Sequence, residues 1–234
     1  MGMVEFLWGL SDGINDAGLS IALAYGGRQE TGRGFGITTI LRYVLETCET
    51  VPQALRVLQR VPSHMPYNVV VADASGAGAS VEMYAGGGAK VQPRLVATNH
   101  QTDGSTPDRG SFTRTFERAK HLVSVLSEGG TPSALAGRFT QAPLKQDRYA
   151  EGFGTLFTAE YEPKRRKMTL HWDDEVWPQS IDAFEEGTRQ VTYGSTPSSV
   201  AAGGAIDWVQ IGLDYAAGRG VDWRRFVTAG VDVA

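Results

Sequence analysis

The turn sequence Asn15-Asp16-Ala17-Gly18 lies between Phe6-Leu7-Trp8 and Leu19-Ser20-Ile21-Ala22-Leu23, an arrangement that calls for two strands joined by a reversal. Asn and Gly tolerate positive φ, so the chain can turn there while the apolar flanks pair. A Gly-rich loop follows from Gly26 to Gly36. Beyond it, Ile37, Ile40, Leu41, Val44, Leu45 and Cys48 trace one face at helical period. A second helix is expected from near Thr50, which can cap it. Pro52 falls in its first turn, and Ala54, Leu55 and Leu58 form its face.

Val69-Val70-Val71-Ala72 is apolar at every position, so that strand should be covered on both sides. Asp73 to Gly76 is a turn, and Val81 to Tyr84 is the return strand. Leu95-Val96-Ala97 then leads into Thr98-Asn99-His100, and a polar loop runs from Gln101 to Gly110. A helix is expected from about Ser111 to Leu126, with Phe112, Phe116, Ala119, Val123 and Leu126 as its apolar stripe. A short helix near Pro132 to Phe139 follows. The segments 152–163 and 168–172 read as a hairpin joined by Lys164-Arg165-Arg166-Lys167, with Met168, Leu170 and Trp172 alternating with Thr169 and His171. Ser195 to Gly204 reads as a linker, and Ile206, Val209 and Leu213 as one face of a tail helix. Strands and helices do not alternate as βαβ units, so the expected class is α+β, a layered sandwich.

Composition narrows the functional classes. With 234 residues, 41% of them hydrophobic, the chain can bury a substantial core. A net charge of -4 offers no basic field for nucleic acid. One cysteine excludes internal disulfides and Cys-rich zinc sites. No apolar run approaches the roughly 20 residues that span a bilayer, and Met1 to Leu10 lacks the basic start of a signal peptide. A cytoplasmic location without membrane attachment is the expectation.

Generic catalytic signatures are absent: there is no G-x-S-x-G elbow, H-E-x-x-H motif or phosphate loop with its Lys. Gly32-Arg33-Gly34-Phe35-Gly36 lacks the spacing of a dinucleotide loop and reads as a plain flexible loop. Cys48 continues the apolar helix face, with Glu46 and Glu49 beside it and nothing basic to stabilise a thiolate, so it is a core residue and not a nucleophile.

Two motifs carry a family resemblance, Asp12-Gly-Ile-Asn-Asp-Ala-Gly-Leu19 and Ala97-Thr-Asn-His100. Supporting stretches are Leu41 to Val51, Ala72 to Gly76, Ser111-Phe-Thr-Arg114 and Gly152 to Leu156. The chain resembles the acyl-CoA:6-aminopenicillanic acid acyltransferase family, the C45 autoproteolytic peptidases, over roughly Phe6 to Tyr193. It is more distantly similar to penicillin V acylases and bile salt hydrolases. The resemblance implies an N-terminal-nucleophile (Ntn) hydrolase-like four-layer αββα sandwich. It also implies a small-molecule amide or acyl-CoA substrate and chemistry that needs no metal and no cofactor. In such enzymes a precursor cuts itself before a Cys, whose thiolate attacks the carbonyl while its own amino group serves as base.

The resemblance also implies roles for particular residues. Asn99 matches the active-site asparagine, whose amide can donate to the tetrahedral oxyanion. Arg114 matches an arginine that borders the nucleophile and supports its charge state; a solvated helix charge is the competing reading. Tyr25 lies where distant relatives place an oxyanion-hole residue, and a pocket-lining aromatic in contact with substrate is the role expected here. Asn15 should shape its turn, and His100 should point away from Asn99 as a structural histidine.

One departure stands out. The family's nucleophile strand precedes the hairpin at Asp12, and here only Met1 to Ser11 precede it, without a Cys. The expectation is an N-terminally incomplete sandwich over residues 1–194, followed by a linker and helical tail over 195–234. The polypeptide alone should be inactive, and it should self-associate through an exposed sheet edge or pair with a missing N-terminal fragment. The alternative is a non-catalytic remnant or partner subunit of such an enzyme.

Overall fold

The computed structural model describes residues 1–5, 8–129 and 131–193. The expected linker and tail helix lie outside these, as do Phe6 and Leu7 of the first expected strand. Residues Met1–Val191 form one compact unit.

A six-stranded antiparallel sheet of sequential neighbours dominates that unit. Its strands are β1 (Gly2–Glu5), β2 (Gly9–Ile14), β3 (Ser20–Tyr25), β4 (Tyr67–Ala72), β5 (Gly78–Met83) and β6 (Ala89–Gln92). The expected reversal is present, but the strand before it is Gly9–Ile14. Trp8 lies in a turn and is exposed. Asn15 fixes the reversal as expected. Its Oδ1 accepts from Leu19 N at 2.9 Å, and its Nδ2 donates to Leu45 O and Cys48 O at 3.0 and 2.7 Å.

Between β3 and β4 lie α1 (Ile37–Thr47) and α2 (Val51–Arg60), which pack on one face of the sheet. Ile37, Leu41, Val44 and Cys48 meet Ile21, Val69, Val71 and Val81 there in one buried cluster. Burial of each large aliphatic side chain contributes about 1.5–3 kcal/mol, so this face supplies most of the driving force. Thr50 precedes α2 without capping it through its side chain. Asp73 does so instead, its Oδ2 accepting from Val51 N at 2.8 Å. Because β4 delivers Asp73 from a distant part of the sequence, a local capping pattern could not show it.

β4 is covered unequally. Val69 and Val71 are fully buried under the helices, whereas Val70 and Ala72 on the other face are only half-buried. The expectation of two fully covered faces is corrected accordingly. That second face is small and polar: the register aligns Ala24, Asn68, Glu82 and Lys90 in one row, and Asp12, Ala22, Val70, Ser80 and Gln92 in the next.

The expected helix at 111–126 is broken. α3 (Gly110–Thr113) and α4 (Thr115–Glu128) meet at Arg114, whose φ of 52° is left-handed. The break resets the helical register, so the residues α4 buries are Thr115, Leu122 and Val125, while Phe116 and Leu126 are exposed. Phe112, on the other side of the break, stacks on Phe153 with 4.7 Å between centroids and sits under Arg109 and Arg148. The short helix α5 (Pro132–Phe139) is present as expected, its Thr131 side chain accepting from Ala134 N.

A two-stranded ribbon pairs β7 (Asp147–Arg148) with β8 (Phe153–Gly154). The expected hairpin forms in part, as β9 (Thr158–Glu162) and β10 (Lys167–His171), while Phe153–Gly154 of its expected first strand pairs with β7 instead; β11 (Val176–Ser180) completes a three-stranded sheet. This sheet meets the larger one through Tyr161, whose hydroxyl donates to Asp12 Oδ1. Burial keeps Asp12 above the usual carboxylate range and raises the Tyr161 hydroxyl far above its own. α5 contacts β9. The mixed helices and antiparallel sheets are α+β. Among the described residues no helix is long and apolar enough to cross a membrane.

Candidate active site

Asn99 does not end a strand. It occupies a tight bend between Thr98 and His100, which form a bridge with each other. Asn68 on β4 holds this bend from beneath. Its Nδ2 donates to Thr98 O at 2.7 Å and to His100 O at 2.8 Å, bracketing the residue between them. Gly27, just beyond β3, holds it from the side. A Cβ on Gly27 would lie 2.6 Å from Asn99 O, so only glycine permits this approach, and its φ of 88° is one glycine adopts without strain.

The bracket leaves the Asn99 side chain free to meet two neighbours. Its Nδ2 donates to Tyr25 O at 3.3 Å, and its Oδ1 accepts from Arg118 Nη1 at 3.0 Å. A guanidinium only donates, so the bond from Arg118 assigns the oxygen end of the amide. Nδ2 carries two hydrogens, and one remains after the bond to Tyr25 O. A hydrogen of this kind, on a fixed and half-buried amide, can hold an oxyanion.

Arg118 is half-buried, and burial lowers its guanidinium below the ordinary range. Its Nε is buried without a partner, and among the described residues no carboxylate pairs with it. The other described arginines without a carboxylate, Arg33, Arg56, Arg60, Arg94 and Arg109, are all exposed. Arg118 thus brings an uncompensated positive charge to Asn99.

The flanking residues are structural. His100 Nδ1 lies 3.1 Å from Thr98 Oγ1 and 2.9 Å from Thr115 Oγ1, and its ring packs on Phe116. Burial lowers its pKa despite the nearby Glu82 carboxylate, so the imidazole is neutral at pH 7. Gln101 donates to Met83 O at 2.9 Å and accepts from Arg28 Nη2 at 2.8 Å. Arg28 also pairs with Asp103 at 2.7 Å. Hydrogen bonds from Ser105 lower the Asp103 carboxyl to about 2, burial opposing them and Arg28 adding to them. These contacts tie the glycine-rich loop to the loop after Asn99.

The structure brings Asn99 and Tyr25 together, through the Tyr25 carbonyl. The Tyr25 ring meets Tyr67 edge-on at 6.2 Å, and its hydroxyl reaches toward Asp108 at 3.5 Å. Arg114 forms an ion pair with Glu117 at 2.6 Å and lines an open cavity of about 630 Å³ with Phe112, Phe116 and the loop from Thr106. The arginine that reaches Asn99 is Arg118, one helical turn further on. Cys48 is 4% exposed and belongs to the helix side of the sheet, whereas Asn68 and the bend it holds belong to the other face. The sheet therefore separates the one cysteine from Asn99. Among the described residues no cluster of His, Cys, Asp or Glu could hold a metal ion.

Sequence reasoning missed Asn68 and Arg118. A polar residue inside the apolar run of β4 was the available signal for Asn68. Arg118 carried no such local signal, because the break at Arg114 sets which way it faces.

No curated protein matches the chain. The family model described as acyl-coenzyme A:6-aminopenicillanic acid acyl-transferase matches residues 1–177, which include the whole six-stranded sheet, the Asn99 bend and Arg118. The chain belongs to the acyl-coenzyme A:6-aminopenicillanic acid acyl-transferase family.

Proposed function

We propose that this chain carries the oxyanion-binding scaffold of an N-terminal-nucleophile amide hydrolase or acyltransferase, C45 peptidase-like, acting on a non-peptide C–N bond or an acyl thioester. The family supports acyl transfer as the reaction class. The observation that carries the assignment of Asn99 is its side-chain amide, held by Arg118 at Oδ1 with one Nδ2 hydrogen to spare.

The contact of Tyr161 with Asp12, with α1 and α2 outside one sheet and α5 against the other, supports a four-layer αββα sandwich. The half-buried face at Ala22, Ala24 and Val70 fits the inner side of such a sandwich.

In the proposed reaction a cysteine thiolate adds to the acyl carbonyl, and the carbonyl electron pair moves onto oxygen. Asn99 Nδ2 donates to that oxyanion. The pair returns, the C–N or C–S bond breaks, and the nucleophile's ammonium gives its proton to the departing amine or thiolate. Water or an acceptor amine then attacks the acyl-cysteine and loses a proton to the same amino group, and the acyl C–S bond breaks to release the product and regenerate the cysteine thiolate. Tyr25 lines the acyl site, and Arg114 borders the nucleophile.

Cys48 cannot serve, because the core holds it on the far side of the sheet. In this reading the nucleophile is not Cys48 but is supplied to the site separately, and the chain alone is inactive. Val4 on the edge strand β1 and Trp8 in the turn after it, each about 60% exposed, are where a nucleophile-bearing partner, or a second copy, would add. A non-catalytic remnant or partner subunit is the second reading, and the burial of the one cysteine favours it equally. Assay of the purified chain against phenylacetyl amides, penicillin V and acyl-CoA thioesters should show no turnover. Turnover that disappears in Asn99→Ala would overturn the claim of inactivity.

A further inference from the structure

Behind the Asn99 bend lies a second polar site. A cavity of about 300 Å³ opens between β5, β6 and α4. That volume is at the lower end of small-molecule pockets. Its polar wall includes Asn68, Ser80, Glu82, Thr98 and Thr102; its apolar wall includes Val96, Ala97, Ala119 and Val123.

Two groups on the polar wall lack their natural complement. Glu82 is 3% exposed, and its carboxylate accepts from Thr102 N at 2.7 Å and from the Thr102 and Tyr84 hydroxyls at 3.2 Å. No cationic side chain pairs with it among the described residues. Directly across the strand pair from Glu82 stands Asn68, also 3% exposed. Its Nδ2 is committed to the Thr98 and His100 carbonyls, and its buried Oδ1 has no partner. Residues opposite each other on antiparallel strands have Cβ atoms about 4.5–5.5 Å apart, so one small group can reach both.

Both open positions accept hydrogen bonds, and one is an anion in a place where an unpaired charge is costly. His100, neutral at pH 7, brings no compensating charge. A metal ion fits poorly, because the wall offers a single carboxylate and its other buried polar groups are neutral amides and hydroxyls. We propose that this cavity binds a small alkylammonium ion, with its nitrogen donating to Glu82 and Asn68 Oδ1 and its alkyl group against Val96, Ala97 and Val123. Arg94 also lines the cavity but is exposed and forms no ion pair with Glu82. The site needs no nucleophile, so it stands or falls apart from the acyl-transfer reading.

The Thr102 amide, bonded to Glu82, reports on occupancy. Titration of the full chain with n-propylammonium chloride should shift the Thr102 amide resonance saturably. The isosteric alcohol n-propanol and potassium chloride should not. Glu82→Gln should weaken n-propylammonium binding about tenfold or more, the size expected for loss of a charge-assisted hydrogen bond. A cavity that holds only water would give no saturable shift, or the same shift with n-propanol, and either result overturns the proposal. Unchanged affinity in a folded Glu82→Gln chain overturns it too.

Discussion

Arg118 Nη1 lies 3.0 Å from Asn99 Oδ1, and this one bond decides which end of the Asn99 amide is left free. The guanidinium turns the oxygen toward itself, so the nitrogen faces Tyr25 O and the space beyond. Arg118→Met should release that choice. The lost hydrogen bond to a charged group costs about 1.5–3 kcal/mol, while removal of a half-buried cation without a carboxylate returns a similar amount. Urea denaturation should therefore show a change within about 1 kcal/mol. The Asn99 side-chain NH₂ resonances should meanwhile lose their distinct environment. Unaltered NH₂ resonances would show that Arg118 does not orient the amide.

Gly27 limits how the Asn99 bend can sit. Gly27→Ala meets two penalties: a left-handed φ of 88°, and a Cβ 2.6 Å from Asn99 O and 2.8 Å from Pro107 Cβ. Left-handed strain costs roughly 1–2 kcal/mol and overpacking about 1–3, so a loss of about 2–5 kcal/mol is expected. Gly76→Ala is the contrast. Its φ of 91° carries the strain, but its Cβ would meet nothing within 4 Å, so the loss should be smaller. Equal losses in the two variants would mean that the contact with Asn99 O does not matter.

Asp73 links acid stability to the end of α2. Burial opposes its ionisation, but hydrogen bonds from Ser75, Val51 N and Ala77 N outweigh it and hold the carboxyl below its ordinary value. With the folded pKa depressed, its contribution is present above the unfolded pKa, about 3.9, and is lost as pH falls through the folded value. Asp73→Asn should cost about 0.5–2 kcal/mol at pH 7, the range for a helix N-cap. The difference from the parent chain should narrow below pH 4. A difference that stays constant down to pH 2 would place the cost in packing instead.

The parts legible in the sequence share a cause. The α1 face, the Asn15 turn, α5 and the β9–β10 hairpin each follow from short-range periodicity or turn chemistry. The parts that were not legible depend on distant partners. Helix α2 is capped by Asp73 from the end of β4, not by the adjacent Thr50. The helix expected through Arg114 breaks there, and periodicity cannot register a left-handed residue inside an apolar repeat. Asn99 was identified by its motif, but its setting was not. The bracket by Asn68 reaches Thr98 and His100 across 30 and 32 positions, and the bond from Arg118 reaches Asn99 across 19.

The central claim is that Asn99 supplies the oxyanion contact once a nucleophile is provided. Its most direct test adds a separately made family segment that begins with Cys to the purified chain and follows hydrolysis of phenylacetyl amides. The account predicts no turnover from the chain alone and measurable turnover from the mixture. Asn99→Ala should reduce the mixture's turnover about a hundredfold or more without unfolding the chain. Turnover by the chain alone that depends on Asn99, or a mixture whose turnover survives Asn99→Ala, would contradict it.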